Sequence, residues 1–198
     1  MIRHDGDQVG IALELNPLGA RALFGLPARA LSSTLVEPHE VLGPGTASLQ
    51  ERLSLALSWP QRFGLLDEVL MSCMKESYDE PIELARAWQL LAHRSGAIAI
   101  QKLADEVGWS RRHLTERFRA EFGVAPKTAA RMLRFDRARR LLTATSLSSV
   151  ADAAVAAGYF DQAHLTRDFQ EFAGCSPGRW LAEEFPFVQD ELTDEGPE

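Results

Sequence analysis

Gly108-Trp109-Ser110-Arg111-Arg112-His113-Leu114-Thr115-Glu116-Arg117-Phe118 is answered further along the chain by Gly158-Tyr159-Phe160-Asp161-Gln162-Ala163-His164-Leu165-Thr166-Arg167-Asp168-Phe169. The tripeptide His-Leu-Thr recurs 51 residues on, and the likeness extends in both directions. Upstream, Ile100, Leu103 and Ala104 correspond to Val150, Ala153 and Ala154. Downstream, Gly123 and Pro126 correspond to Gly174 and Pro177. The offset is 50 up to the glycine-aromatic step and 51 after it, so the second copy carries one extra residue between two otherwise equivalent helices. A repeat of this period fixes an architecture before any single motif does.

Each copy reads as helix, glycine turn, helix. Ile100, Leu103, Ala104 and Val107 line one face of a short helix, and Gly108 permits a tight turn. Leu114, Phe118 and Phe122 then recur every four residues, which gives the second helix one buried stripe. Its other face carries Arg111, Arg112, Thr115, Glu116 and Arg119. In the second copy the outward set is Asp161, Gln162, Ala163, His164, Thr166 and Arg167, behind Leu165 and Phe169. Such side chains near the start of a second helix are suited to the major groove: Arg donates two hydrogen bonds to guanine, Gln pairs with adenine, and a Thr methyl touches the thymine methyl. The alternative is a packing unit with an ordinary solvated face. Duplication weighs against it, because two faces joined by one stiff helix match successive groove segments about 34 Å apart.

Net charge is −7, which by itself argues against DNA, whose binding requires phosphates to be neutralised by Lys and Arg. The average conceals a split. Residues 94–179 hold 14 Lys and Arg against 9 Asp and Glu, a net +5, whereas residues 1–93 hold 7 against 12 and residues 180–198 hold 7 acids and no base. The repeat is a basic island in an acidic chain.

The bridge between the copies, residues 127–143, has a helical pattern whose buried side is expected to be Met132, Leu133, Phe135, Ala138, Leu141 and Leu142. Arg131, Arg134, Arg137, Arg139 and Arg140 make it basic, and such a run is read first as a solvated face with members paired to Asp136 or Glu121 and one or two left for phosphate. Ser110 and Ser149 stand where each can cap a helix or hold a phosphate, with capping preferred.

Before the repeat, residues 9–15 alternate like a strand, although a lone strand is not stable alone. A helix is predicted from Pro17 to Phe24, then an irregular stretch broken by Gly and Pro, then helices over 46–57, 60–75 and 82–93, with Trp59-Pro60 as a break. Tyr78-Asp79-Glu80-Pro81 reads as a linker with Pro81 opening a helix. The fold class is therefore mainly α: two helix-turn-helix units joined by a long helix, preceded by a small, mostly helical region with one strand. The domains are 1–78, 79–182, and an acidic, disordered tail over 183–198.

Several other signals lead nowhere. Gly174-Cys175-Ser176-Pro177-Gly178 spells the G-x-S-x-G hydrolase pattern, but a helix precedes it and Pro177 has no N–H for an oxyanion. His4, His39, His93, His113 and His164 have no metal-ligand spacing, and the matching slots of His113 and His164 favour a role on the helix face. Cys73 and Cys175 suggest neither a disulfide framework nor zinc, in keeping with a reduced cytoplasmic setting. No apolar run spans a membrane and no secretion signal opens the chain. Trp59, Trp88, Trp109 and Trp180 read as core or domain-contact aromatics. No cofactor, metal or catalytic constellation is expected.

Through Gly158-Tyr159, Leu165, Phe169, Gly174, Ser176-Pro177 and Trp180, the stretch from Pro81 to Trp180 resembles the C-terminal DNA-binding region of the AraC-type transcriptional regulators. The resemblance covers half the chain. It implies a seven-helix region with two helix-turn-helix units bridged by a long helix. By position, base reading would fall to Arg112, Thr115 and Glu116 in the first unit, and to Gln162, Ala163, His164, Thr166 and Arg167 in the second. Glu116 departs from the Arg or Gln often found there; it can only accept hydrogen bonds, so it selects cytosine or holds Arg112. Ala163 removes a polar reader. Such regulators usually carry a preceding effector-sensing or dimerising barrel, for which residues 1–80 are too few. The strand with Asn16-Pro17-Leu18-Gly19-Ala20 looks like the exit from such a barrel.

The expected partners are double-stranded DNA, RNA polymerase, and a second copy or a related regulator through the N-terminal helices, with no membrane. The competing expectation is a truncated interaction protein that docks on sister regulators through residues 46–93 and binds DNA weakly. Arg112→Ala and Arg167→Ala should each weaken binding to a cognate duplex on the order of tenfold while leaving the fold intact. Equal affinity of the variants in a titration would remove both residues from the reading set.

Overall fold

A computed structural model describes residues 10–32, 35–74, 81–144 and 149–184. The chain divides into two compact units, Met1–Asp79 and Glu80–Glu198. All regular structure among the described residues is helical. No described helix is long and apolar enough to cross a membrane.

The first unit holds α1 (Pro17–Phe24), α2 (Pro38–Leu42), α3 (Leu49–Leu55) and α4 (Trp59–Cys73), with two short 3₁₀ turns between α1 and α3. Asn16 caps α1 by accepting from the Gly19 amide at 2.8 Å, and Ser58 caps α4 by accepting from Gln61 at 3.4 Å. Trp59-Pro60, expected as a break, is instead the first turn of α4, where a proline costs no hydrogen bond. Arg62 on α4 donates to the carbonyls of Leu53 and Ala56 at 3.2 and 3.1 Å, satisfying the open end of α3. Leu23, Leu66 and Val69 form its small buried set.

The expected strand is not there. Residues 10–16 carry no regular structure and Leu13 and Leu15 are exposed; Val9 lies outside the described residues. Alternation alone does not make a strand without a neighbour to take its backbone hydrogen bonds, and no neighbouring strand exists among the described residues. The Tyr78–Glu80 linker, Thr145–Ser148 and most of the acidic tail also fall outside the described residues.

The second unit contains α5 (Ile82–His93), α6 (Ile100–Glu106), α7 (Arg111–Phe122), α8 (Pro126–Thr143), α9 (Val150–Ala157), α10 (Gln162–Phe172) and α11 (Pro177–Glu184). Two cores form on either side of α8. Leu84, Ala87, Leu91, Leu103, Leu114 and Phe118 are buried in the first, where Trp88 packs on Phe122 with ring centres 5.2 Å apart. The second gathers Ala138, Ala154, Ala157, Tyr159, Leu165, Phe169 and Trp180, with Phe135, Leu141 and Leu142 against it.

Helix α8 belongs to both cores. Its most buried positions are Pro126, Ala129, Ala130 and Ala138, while Met132, expected inside, is 47% exposed. Small residues lie inside because neighbours crowd α8 from two directions, leaving no single wide apolar face for the amphipathic pattern to mark. Gly96, in the turn between α5 and α6, shows how close the crowding comes. Its φ is +75°, and a Cβ there would sit 1.9 Å from the carbonyl oxygen of Ala130. Only glycine allows both the left-handed turn and that approach.

Gly96→Ala should therefore destabilise the second unit by more than about 2 kcal/mol, from left-handed strain plus a backbone clash. Denaturant unfolding of the full chain followed by Trp88 environment and circular dichroism checks this; an unchanged midpoint would contradict the close approach.

Candidate DNA-reading surface

The helix boundaries follow from local chemistry. Ser110 caps α7, its Oγ accepting from the His113 amide at 3.2 Å, and Asp161 caps α10, its Oδ1 accepting from the His164 amide at 2.6 Å. Ser149 likewise caps α9, accepting from the Asp152 amide at 3.1 Å, so Ser110 and Ser149 both take the capping role. Gly108 and Gly158 end the preceding helices at φ +71° and +86°. In each unit the aromatic after that glycine packs edge-on against the histidine of the next helix: Trp109 on His113 at 4.7 Å, Tyr159 on His164 at 5.1 Å. The pair thus ties the turn to the first turn of the following helix in both repeats.

On α7, Leu114, Phe118 and Phe122 face the core, and Arg111, Arg112, Glu116 and Arg119 are exposed. Arg112 Nε donates to Glu116 Oε1 at 2.9 Å, and that bond pushes the already high guanidinium range further up. In the unbound protein Glu116 holds Arg112. Thr115 is partly buried and its hydroxyl donates to the Arg111 carbonyl at 2.8 Å.

Helix α10 differs. Gln162, Ala163 and Arg167 are exposed, while His164 and Thr166 are partly buried. Thr166 donates to the Gln162 carbonyl at 2.9 Å, as Thr115 on α7 donates to the carbonyl four residues back. Arg167 Nε lies back on its own helix, 3.3 Å from the Ala163 carbonyl. His164, packed on Tyr159, combines a structural contact with an edge position. The structure thus brings Arg111, Arg112, Thr115, Glu116 and Arg119 together on α7, and Gln162, His164, Thr166 and Arg167 together on α10.

A set of residues that sequence reasoning missed holds α10 in place. Asp168, only 2% exposed, accepts from Arg131 of α8 at 2.7 and 3.2 Å and from the Tyr159 hydroxyl at 3.1 Å. Arg131 also donates to Glu171, Nη1 to Oε1 at 3.0 Å, and its guanidinium lies over the Phe172 ring. Burial, reinforced by the Asp168 carboxylate, pushes the Tyr159 hydroxyl well above the usual phenol range, so it stays a donor. The hydrogen bond from Arg131 holds the Glu171 carboxyl below the usual range; stability from that bond is present at neutral pH and is lost as pH falls through the lowered value. The only sequence signal was an aspartate inside an otherwise apolar helix face.

Other basic residues of α8 sort differently. Arg140 pairs with Asp136 at 3.0 Å, Arg139 lies 5.2 Å over Trp180, and Arg134 lies 5.7 Å over Tyr159. Arg137 is exposed and has no ion pair among the described residues. Trp59 departs from a core role: it is 48% exposed and stacks on Phe63, with Arg62 over its ring. Ser176 accepts from the Arg179 amide at 3.4 Å and starts α11 directly after a helix, which is no nucleophile elbow. No cluster of three metal-ligating side chains exists among the described residues.

Residues 103–183 match the family model of the helix-turn-helix domain. The match runs from within α6 to within α11 and takes in both α7 and α10. Among solved structures the chain is similar to a transcriptional regulator (AraC-type DNA-binding domain-containing proteins) from Chromobacterium violaceum. The two share 24% identity over 58% of this chain and 96% of that one, with a TM-score of 0.46.

Asp168→Ala should cost about 3 kcal/mol, because it leaves the Arg131 charge and the Tyr159 hydroxyl short of their buried partner. Glu171→Ala, at the solvent edge of the same network, should lower the unfolding midpoint far less than Asp168→Ala does. Equal effects of the two in chemical denaturation would show that the buried carboxylate is not the anchor.

Proposed function

We propose that the protein reads a specific operator by placing α7 and α10 in two successive major-groove segments of one duplex. The observation that carries this reading is the common wall. Both second helices turn their apolar stripes into cores that share α8, and both keep a polar face free of that packing. In this reading Arg111, Arg112, Thr115, Glu116 and Arg119 face the first segment, and Gln162, His164, Thr166 and Arg167 face the second. Arg112 exchanges its bond to Glu116 for a guanine edge, or Glu116 stays to orient it. Arg137 is the α8 side chain best suited to a phosphate, since the other arginines there hold intramolecular partners or aromatic faces.

The first unit acts as the docking part. Leu55, Leu57, Phe63 and Met71 are exposed on or beside α3 and α4, which suits a second copy or a related regulator, and RNA polymerase is the partner proposed for the regulatory output. The same exposed apolar residues favour a second reading, in which docking on sister regulators is the main activity and DNA contact is weak.

Salt dependence separates the two readings. Two engaged heads should give a log affinity falling against log salt with a slope of about −5 or steeper, at roughly −0.9 per phosphate contact. A shallow slope on the best fragment selected from random duplex DNA would favour the docking protein.

A further inference from the structure

The two units differ where the chain enters the second helix. In the first, Trp109 is followed directly by the capping Ser110. In the second, Phe160 stands between Tyr159 and the capping Asp161, and it is the extra residue that shifts the repeat from 50 to 51. Its side chain is 91% exposed. Both of its neighbours are fixed: Tyr159 is buried and bonded to Asp168, and Asp161 is bonded to the amide of His164. A phenyl ring therefore projects into water from an anchored backbone at the mouth of α10, beside the exposed Gln162 and Ala163.

We propose that Phe160 is a base-reading residue that selects thymine by packing on its 5-methyl group. This rests on the DNA-reading function proposed for α10. The major groove offers an apolar feature in the thymine methyl, and phenylalanine and alanine are side chains that recognise it. The Asp161 carboxylate beside the ring disfavours a phosphate at that point and leaves the base edge as the matching surface. Gln162, next on the helix, has the donor and acceptor that pair with adenine. The two heads then differ in chemistry: arginine-rich α7 suits guanine, whereas the Phe160–Gln162–Ala163 corner suits an A·T-rich half-site.

The test uses the full-length chain and the duplex it selects from random sequence. Each thymine in the half-site covered by α10 is replaced in turn by uracil, which removes the methyl group and keeps every hydrogen-bonding atom. At one or two positions uracil should weaken wild-type binding about three- to fourfold, the size expected for one buried methyl group. Phe160→Ala should bind the thymine and uracil duplexes equally. Because Phe160 is exposed, that variant should keep the wild-type unfolding midpoint, which checks its integrity. Indifference of the wild type to uracil throughout the half-site, or the same penalty in both proteins, overturns the assignment while leaving DNA binding by α10 intact. If the wild type selects no sequence at all, the proposed function fails and this inference fails with it.

Discussion

Helix α8 has to be a wall of two cores at once, and most features of the second unit answer to that constraint. A helix approached from several directions must be slim where neighbours come closest, and Ala129, Ala130 and Ala138 meet that need. Gly96 lets the α5–α6 turn come down on the backbone at Ala130. Farther along, Phe135 packs on Phe169 and Phe172 of α10 with ring centres 4.8 and 5.3 Å apart, and Arg131 reaches across to the buried Asp168. Within the second unit the helix joins the two helix-turn-helix repeats through packing and through one ion pair with a buried carboxylate.

That ion pair defines more than it stabilises. Burying the Asp168 carboxylate costs desolvation that its attraction to the partly exposed Arg131 barely offsets, so an apolar replacement would hold the helices together about equally well. What an apolar patch would not supply is a fixed register. Asp168 accepts from Arg131 on α8 and from Tyr159 in the turn, so α10 is held to its own turn and to the bridge by directional bonds. In α7 the corresponding restraint is apolar, with Phe118, Phe122 and Trp88 in mutual contact. The units share a pattern, and they are braced by different forces.

Much of this was legible in the sequence because the second unit is built from local signals. The four-residue recurrence of Leu114, Phe118 and Phe122, the glycines at helix ends and the capping serines each report on a few neighbouring residues, so α5 and α8 fell within a residue of expectation. Met132 was misplaced because periodicity assumes one buried face, whereas α8 has neighbours around it. The strand over residues 9–15 failed because alternation describes only half of a β-pair. Asp168 was invisible as an anchor because its partner, Arg131, lies 37 residues away on another helix. Among the site residues, exposure and side-chain type were readable in advance, whereas the folding back of Arg167 and the seating of His164 on Tyr159 depend on atoms that no spacing rule describes.

Hydroxyl-radical footprinting on the duplex the protein selects tests most directly whether α7 and α10 act as one rigid pair of readers. Two protected segments on one face of the DNA, centred about one helical turn or roughly 10 base pairs apart, are expected if both helices sit in successive grooves. A single protected segment, with the other half-site cut as freely as naked DNA, would contradict simultaneous reading by the two helices.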